Sequence, residues 1–477
     1  MTRIYACRLS ALVLTLALDA SHLNGQPPFV AADDLLVGRA AVAITPTEET
    51  GGVKPVLDEL YAKALVLQKA ETTAAIVVLD LPVLNRRIVE AVRLLVTERT
   101  QIEAENVMIS VTHSHKGLTP GWAGSSSFPA LSPPKDGKLA AEAERYREFL
   151  IHSTAYAIVA AFKDLQSARV SAGVGYEDSL PFNRRFLMKD RTVVFNPGIG
   201  NTDIVRPVGP IDPSVPVVYF ESVGGKPLAT LVNYAMHLDT VGGEVYSADY
   251  PFTLAKCLAD VKGPDMLTVF SIGTAGNINH IDVNGPKLQK GPAEAARIGI
   301  VLAAEVLRTY RKLKLIDMGP LKVARETVML PPVELQPCDS ERARTLADRE
   351  RSGGKKLNLL ERVFTQRVLF AEAQEGRPLD VEVQVMTLGN ELAWVALPGE
   401  VFVELGLAIK QESPFPVTMI HELAYDWIRY VPDRKGFHEG SYEAINTRCG
   451  PGGGEALVEA AVRCLLELHD AAKQAID

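Results

Sequence analysis

The sequence predicts an α/β fold in which mixed, largely buried β-sheets are flanked by helices. Residues 107–112 form an apolar run typical of a strand that is covered on both faces. Between this run and a second apolar run at 74–79, a segment has apolar residues at helical spacing. Further apolar runs end in loops rich in Gly, Asn and His. Because ligands of α/β sheets bind beyond the carboxyl ends of the strands, these loops are expected to form a site.

The first half of the chain alternates between strand and helix patterns. The predicted elements are strands at 36–45, 74–79, 107–112 and 168–175, and helices at 85–101 and 138–162. Asn85 is a suitable cap for the first helix. The order strand, helix, strand predicts that 74–79 and 107–112 are parallel neighbours. Residues 123–137 are rich in Ser, Pro and Gly, and we expect them to form a loop, or lid, beside the end of the 107–112 strand.

The second half adds hairpins and a charged segment. Residues 215–220 and 229–235 predict a hairpin, in which Pro216 favours an edge strand over a central one. A strand is expected at 267–272, and 331–377 is expected to be a helical insertion on the surface. The remaining predicted elements are a hairpin of 381–385 with 392–397, a helix at 401–411, a strand at 417–420 and a closing helix at 453–473.

Composition limits the cellular context and the partners. The 477 residues carry a net charge of −8 without a long basic run, which argues against nucleic acid as a partner. No apolar run approaches the roughly 18 residues of a membrane helix. Arg3, Arg8 and the apolar run 9–18 are typical of a secretory signal, so residues 1–25 are expected to direct the protein outside the cell or to the periplasm. Apart from Cys7 in this segment, the chain has four cysteines, which are widely spaced and indicate neither a disulfide framework nor a metal knuckle.

Four metal-ligand candidates follow predicted strands or lie in Gly-rich loops: His113, His115, His237 and Glu400. Two neutral imidazoles, a carboxylate and an open position make a common catalytic zinc set. Each residue also has an ordinary explanation, since one histidine of the pair could be packed and the other exposed, His237 could belong to the core, and Glu400 could face solvent in a turn. The recurrence of strands that end on histidine favours a metal site.

The order of short motifs resembles one family. The motifs are Thr112-His113-Ser114-His115-Lys116-Gly117, Asn233-Tyr234-Ala235-Met236-His237, Ser247-Ala248-Asp249, Pro398-Gly399-Glu400 and Tyr430 followed by Tyr442-Glu443-Ala444. Together they resemble the neutral/alkaline non-lysosomal ceramidases and their bacterial relatives, over a span from Val37 to the C-terminus.

The resemblance implies a role for each matched residue. One zinc ion per chain would be held by His113, His237, Glu400 and Tyr430. The catalytic residues would be His115, which handles protons, Arg184, which lies near the substrate, and Tyr442, which bonds the scissile carbonyl. Residues 430 and 442 are separated by the interval between the two matching tyrosines of the family. The substrate-binding residues would be Asn183, Ser247 and Asp249. Taken alone, Tyr430 would be a packed aromatic, and Arg184-Arg185 could be a solvated turn or could face an anion or a carbonyl.

Two loops depart from the family pattern. Lys116-Gly117-Leu118-Thr119 stands where the family has Ser-Gly-Pro-Gly, and Ser247-Ala248-Asp249-Tyr250 where it has Ser-Gly-Asp-Asn. Residues 30–477 are expected to form one catalytic domain, without the immunoglobulin-like C-terminal domain of typical members.

The implied activity is hydrolysis of the amide bond of an N-acyl lipid such as ceramide, to a fatty acid and a sphingosine-type amine, with transient contact at a membrane surface. Two alternatives stay open. One is a zinc hydrolase of a non-lipid amide or ester, and the other is an exported metal-bound protein that binds a ligand without turnover.

Export gives the first testable prediction. Because the apolar run 9–18 follows two arginines, the mature protein from a secreting host is expected to begin downstream of Ala20. N-terminal sequencing of the secreted or periplasmic protein measures this directly. Soluble cytoplasmic protein that retains Met1 would contradict the prediction.

Overall fold

The computed structural model describes residues 34–52, 54–119, 137–353 and 355–474. The predicted signal segment 1–25 and residues 123–136 of the predicted lid lie outside them. The strands of the described residues are β1 (Leu36–Ala43), β2 (Tyr61–Lys69), β3 (Thr72–Leu79), β4 (Val107–Val111), β5 (Gln166–Tyr176), β6 (Phe182–Asn183), β7 (Arg185–Met188), β8 (Val193–Phe195), β9 (Ile204–Pro207), β10 (Ser214–Ser222), β11 (Pro227–Tyr234), β12 (Leu267–Ile272), β13 (Ile278–Asn279), β14 (Lys314–Leu315), β15 (Leu321–Leu330), β16 (Leu379–Leu388), β17 (Leu392–Ala396), β18 (Glu400–Val401), β19 (Val417–His421) and β20 (Tyr430–Val431). The helices are α1 (Arg86–Arg99), α2 (Gly137–Lys163), α3 (Tyr250–Lys262), α4 (Pro292–Tyr310), α5 (Asp339–Arg351), α6 (Leu359–Gln374), α7 (Val403–Glu412), α8 (Arg434–Glu439), α9 (Ser441–Ile445) and α10 (Gly453–Gln474).

Two mixed sheets carry the fold. The larger has the strand order β12-β11-β10-β5-β1-β2-β3-β4, with β14 added beside β5. Its β3–β4 and β11–β12 pairs are parallel and its other pairs are antiparallel. The smaller sheet has the order β15-β16-β17-β19, and only its β17–β19 pair is parallel. The predicted α/β class, with buried mixed sheets and flanking helices, is confirmed.

The layers follow from strands that are apolar on both faces. One core cluster joins the inner faces of both sheets, for example Phe220 of β10 and Trp394 of β17. The outer face of the larger sheet packs against α1 and α2 at one end and against α3 and α4 at the other. The outer face of the smaller sheet packs against α7 and α10. The result is a helix–sheet–sheet–helix arrangement, in which every strand of the two central layers except β14 has buried residues.

Two local predictions, the helix cap at Asn85 and the edge position of Pro216, have different outcomes. Asn85 caps α1, since its Oδ1 accepts a hydrogen bond from the backbone N–H of Ile88 at 3.2 Å. The edge position predicted for Pro216 is wrong, because β10 pairs with β5 on one side and β11 on the other. The proline is tolerated because its register partner is Val174 of β5, whereas pairing with β11 begins only at Val217.

The larger sheet curls so that its two end strands meet. Cα atoms of β4 approach those of β12 within 8 Å, although the two strands lie at opposite ends of the sheet. The loops after β4 and β11 are therefore neighbours, and the backbone N–H of His115 donates a hydrogen bond to Leu238 O at 3.0 Å. This curl brings the histidines that follow separate strands to one place.

A buried ion pair connects α1 to the smaller sheet. Both terminal nitrogens of Arg93 lie within 3.1 Å of the Glu382 carboxylate, and the Arg93 side chain also donates to Val107 O. Both residues are almost fully buried. Arg325 contributes a second, more exposed cation at 3.3 Å from Glu382. Removal of Arg93 would leave a carboxylate desolvated and only partly compensated.

We expect Arg93→Met to lower the free energy of unfolding by about 3 kcal/mol, because it breaks a buried ion pair from one side. The double variant Arg93→Met with Glu382→Leu should recover most of that loss, since no buried charge then remains. Urea denaturation measures all three free energies. Arg99→Met, at an exposed position of the same helix, is the matched control and should change stability by less than about 0.5 kcal/mol. A loss as small as the control's would show that the pair is energetically unimportant.

Candidate functional site

The candidate site lies where the loops after β4 and β11 meet β18 and β20. Three predicted ligands, His113, His237 and Glu400, are each at most 4% exposed. Glu400 Oε2 lies 3.3 Å from His113 Nε2 and 3.4 Å from His237 Nε2. The ligand-capable nitrogens of His113, His115 and His237 all lie within 4.8 Å of one another. The structure therefore brings together residues that are more than 280 positions apart in the chain.

The orientation of two imidazoles is fixed by the backbone. His113 Nδ1 lies 2.6 Å from Pro82 O, and His237 Nδ1 lies 2.8 Å from Ala275 O. Each Nδ1 must carry a hydrogen to make this bond, so in the neutral ring each Nε2 presents a lone pair towards Glu400. Such carbonyl partners of the far ring nitrogen are a usual feature of metal-ligating histidines.

A buried carboxylate among lone pairs requires a positive charge. Glu400 Oε2 has no hydrogen-bond partner among the described residues. Burial opposes ionisation of Glu400, but positive charge carried at the adjacent histidines outweighs burial and holds the pKa of Glu400 well below its usual range. Burial, followed by the charge of Arg184, lowers the pKa of His237 to about 4, which disfavours a proton on that ring near neutral pH. Two imidazole nitrogens and a carboxylate oxygen that converge in this way fit a divalent cation such as zinc.

Glu400 and Tyr430 are aligned by a short parallel ladder. They are direct register partners in the pairing of β18 with β20, so their side chains lie side by side. The predicted helix at 401–411 begins only at Val403, because Glu400 and Val401 form this ladder. Gly399 permits the geometry, since it has φ +75° and a Cβ there would lie 2.6 Å from Arg429 O. Burial, and then the charge of Glu400, raise the pKa of the Tyr430 phenol.

Arg184 lies behind the ligand candidates and not on the wall of the cavity. Its Nη1 is 3.2 Å from His237 Nε2, where it can donate to the ring lone pair, and its Nη2 donates to Gly276 O at 2.6 Å. Its Nε donates to Glu443 Oε1 at 3.0 Å, and Arg185 donates to the other oxygen of the same carboxylate at 2.9 Å. Of the two interpretations of the arginine pair, the solvated turn is excluded, because both side chains are buried.

A cavity of about 530 Å³ opens above the cluster. Its wall includes His113, Glu400, Tyr430 and two other predicted site residues, His115 and Tyr442. The side chain of His115 is 40% exposed, its Nε2 is 3.2 Å from His113 Nε2, and its Nδ1 is 4.0 Å from Asp239 Oδ1. His115 therefore faces the open side of the cluster, whereas His113 and His237 face Glu400.

The three predicted substrate-binding residues lie outside the cavity wall. Asn183 bonds Pro210 O and the backbone N–H of Arg185, and so supports the arginine pair. Ser247 donates to Asp58 at 2.6 Å. Asp249 accepts from the backbone N–H groups of residues 240, 241 and 250 and caps α3. These contacts favour loop positioning, and substrate binding by these residues stays a prediction.

Comparisons with protein-family models and with curated proteins found no match. Comparison with solved structures found nine similar chains, among them two ceramidase structures. The crystal structure of neutral ceramidase from Pseudomonas aeruginosa has a TM-score of 0.68 and 17% identity, over 92% of this chain and 75% of that chain. The structure of a ceramidase complexed with C2 has a TM-score of 0.67 and 16% identity, over 92% and 76% of the two chains.

The chain has the neutral ceramidase fold. The fold that the motif resemblance implied is thus confirmed over most of the chain. No helix among the described residues has the length and apolarity needed to cross a membrane.

Sequence reasoning missed two residues of this candidate site. The Trp427 indole N–H donates to Glu400 Oε1 at 2.9 Å and so holds the carboxylate oxygen that faces away from the histidines. Glu443 is fully buried and joins the two arginines. No spacing or periodicity marks either residue, although Glu443 lies inside the Tyr442-Glu443-Ala444 motif and Trp427 lies three residues before Tyr430.

The layer beneath the site is neutral. Burial, and then the charge of Glu400, raise the pKa of Glu422 well above its usual range, and its Oε2 accepts from the backbone N–H of Val401 at 2.8 Å. His421 is fully buried at the end of β19, and burial alone lowers its pKa to about 3. Because the neighbouring acid keeps its proton, it adds no second negative charge beside Glu400.

His421 makes the stability of the fold depend on pH. In the unfolded chain a histidine binds a proton below about pH 6.5, whereas folded His421 does not. The contribution of neutral His421 to the free energy of unfolding is therefore complete above pH 6.5. It is lost by about 1.4 kcal/mol per pH unit as the pH falls from 6.5 towards the folded pKa of about 3. We expect His421→Leu to reduce the slope of the free energy of unfolding against pH by that amount below pH 6.5. Urea denaturation at a series of pH values measures the slope, with a chelator present so that metal binding does not contribute.

His438→Leu, at an exposed position, is the matched control and should leave the slope unchanged. Equal slopes for wild type and His421→Leu would show that folded His421 is protonated.

Proposed function

We propose that the protein is a zinc-dependent amidohydrolase that cleaves the amide bond of an N-acyl lipid. In this proposal His113, His237, Glu400 and Tyr430 hold one zinc ion per chain. The observation that carries it is the buried Glu400 Oε2, which lies within 3.4 Å of two imidazole nitrogens with no hydrogen-bond partner among the described residues. A neutral pair of imidazoles and a carboxylate is a donor set of known catalytic zinc sites.

Bound zinc would supply Lewis acidity, which lowers the pKa of water from 15.7 to about 7 and polarises a carbonyl. The proton transfers belong to His115 in this proposal. Its ring is on the cavity side of the cluster and partly exposed, so it can accept a proton from the attacking water and deliver one to the leaving amine. His113 and His237 cannot do this as readily, because their Nδ1 atoms are engaged by backbone carbonyls.

Tyr442 is suited to stabilise the carbonyl oxygen as it becomes negative. Its ring is 5.4 Å from that of Tyr430, and its hydroxyl accepts a hydrogen bond from Asn446 Nδ2 at 3.1 Å. Because Asn446 occupies a lone pair, the Tyr442 hydroxyl can donate its own hydrogen into the cavity. One such donor contributes about 2.7–4 kcal/mol to transition-state stabilisation in comparable hydrolases.

The substrate class is supported by the fold and by the order of the motifs. The two similar structures are named as ceramidases, which act on an N-acyl lipid, and we extend that substrate class to this chain as part of the proposal. Turnover of N-acyl sphingosines of several chain lengths by purified, zinc-loaded protein tests it. Export and transient membrane contact complete the proposal, since a lipid-like substrate is presented at a membrane surface.

Zinc content separates the ligands from the proton carrier. Elemental analysis should find about one zinc per chain, as expected of a mononuclear site. His113→Ala and His237→Ala should each lose both the metal and the activity while they stay folded. His115→Ala should keep nearly all of its zinc yet lose about 10²–10⁴ in kcat, the usual loss when a general acid–base is removed.

The matched control is His152→Ala, on α2 and outside the site, which should keep both properties. Zinc loss in His115→Ala together with zinc retention in His113→Ala would exchange the two roles. Full zinc and full activity in His237→Ala would remove this residue from the ligand set.

A further inference from the structure

Arg429 and Tyr430 are consecutive residues, yet both line the cavity. Consecutive side chains of an extended strand point to opposite faces, so a regular strand would have placed only one of them there. The chain is not a regular strand at this point, because Arg429 has a φ of 68° and its side chain turns to the same side as that of Tyr430. This left-handed conformation is unfavourable for any residue with a Cβ, and it is usually retained where it orients a functional group.

Contacts from two other elements hold the Arg429 side chain. Its Cζ lies 4.3 Å from the centre of the Trp427 ring, and its Nη2 donates to Gln366 Oε1 at 3.1 Å. Trp427 in turn donates to Glu400, so a single indole separates the guanidinium from the candidate metal cluster. Gln366 belongs to α6, within the segment predicted as a surface insertion, and this segment therefore reaches the wall of the site.

The cavity wall is cationic apart from the candidate ligand Glu400. Among the described residues that line it, the permanently charged side chains besides Glu400 are Arg429 and Lys54. Lys54 pairs with the highly exposed Glu244 at 2.9 Å. Arg429 is only 8% exposed, so its permanent positive charge is poorly solvated. A poorly solvated guanidinium in a concave wall is a strong attractor for an anionic ligand group.

We propose that the substrate amide carries a carboxylate beside the scissile bond, as an N-acyl amino acid does, and that Arg429 binds this carboxylate. In such a molecule one carbon separates the amide nitrogen from the carboxylate, so the recognising cation must stand next to the reaction centre. Arg429 lines the same cavity as Glu400 and Tyr442 and directly precedes Tyr430, and its planar fork of N–H groups matches a carboxylate.

The proposal rests on the amidohydrolase function above and narrows its substrate from N-acyl lipids in general to anionic ones. The reaction is a plain hydrolysis. The C–N bond breaks, the acyl carbon gains the oxygen of water, and the nitrogen gains the proton, which releases a fatty acid and an amino acid.

The test compares two substrates that differ only in charge. Purified zinc-loaded protein is given N-acylglycine and N-acylglycinamide of the same chain length, and kcat/KM and binding are measured for both. Wild type should prefer N-acylglycine at least about 10-fold. Arg429→Gln should lower kcat/KM for N-acylglycine by about 30-fold or more, mainly through KM, and leave N-acylglycinamide almost unaffected. Arg429→Lys, which keeps the charge, should restore part of the preference.

Zinc content is measured for each variant, and Arg206→Gln, an exposed arginine of β9 outside the cavity wall, is the matched control. Equal kcat/KM of the wild type for N-acylglycine and N-acylglycinamide would overturn the inference without any variant. An equal loss of kcat/KM on both substrates in Arg429→Gln would also overturn it. Turnover of neutral amides without an Arg429-dependent preference would leave the amidohydrolase function intact and refute anion recognition. Arg429-dependent binding of N-acylglycine without turnover of any amide would refute the amidohydrolase function and support the anion site.

Discussion

The carboxylate of Glu400 is the constraint on which the site depends. It is buried in a region where the neighbouring acid, Glu422, holds a proton, and its inner oxygen faces only imidazole nitrogens. A charge in such surroundings is tolerated only when a cation or a proton compensates it. The backbone carbonyls of Pro82 and Ala275 accept from the Nδ1 atoms of both histidines, so both Nε2 lone pairs face the cluster, where Arg184 Nη1 also lies 3.2 Å from His237 Nε2. These residues fit a divalent cation as a donor set.

The architecture supplies the rigidity that this arrangement needs. The curled sheet brings together the loops after β4 and β11, and the separate two-stranded β18–β20 ladder adds Glu400 and Tyr430. Side chains on short ladders and on loops that directly follow buried strands are positioned precisely, because packed interiors resist deformation. A site built on one mobile loop would lose that precision. This is why the cluster lies where the two central layers meet and not on either surface.

The sequence predicted the elements well and their assembly poorly. Strand-to-histidine patterns identified His113, His115 and His237, because apolar runs and polar ends are local signals. Nothing local indicates that β4 and β12 meet, since the curl arises from the accumulated twist of the eight strands from β12 to β4. The β18–β20 ladder is two residues long on each side and has no periodicity, so 401–411 was expected to be helical throughout. The edge prediction for Pro216 failed because the missing N–H matters only where a second strand pairs, and β11 begins to pair one residue later.

Backbone strain gives independent support for a site whose side chains must be oriented accurately. Ten residues other than glycine have positive φ in the described part of the chain. One of them is His113 itself, and two others, Arg429 and Ser441, directly precede Tyr430 and Tyr442. Each such residue costs on the order of 1–3 kcal/mol and persists only where the surrounding structure determines it. Their coincidence with the side chains that converge on one cavity is best explained by a chemical requirement for direction, which the fold satisfies at the expense of stability.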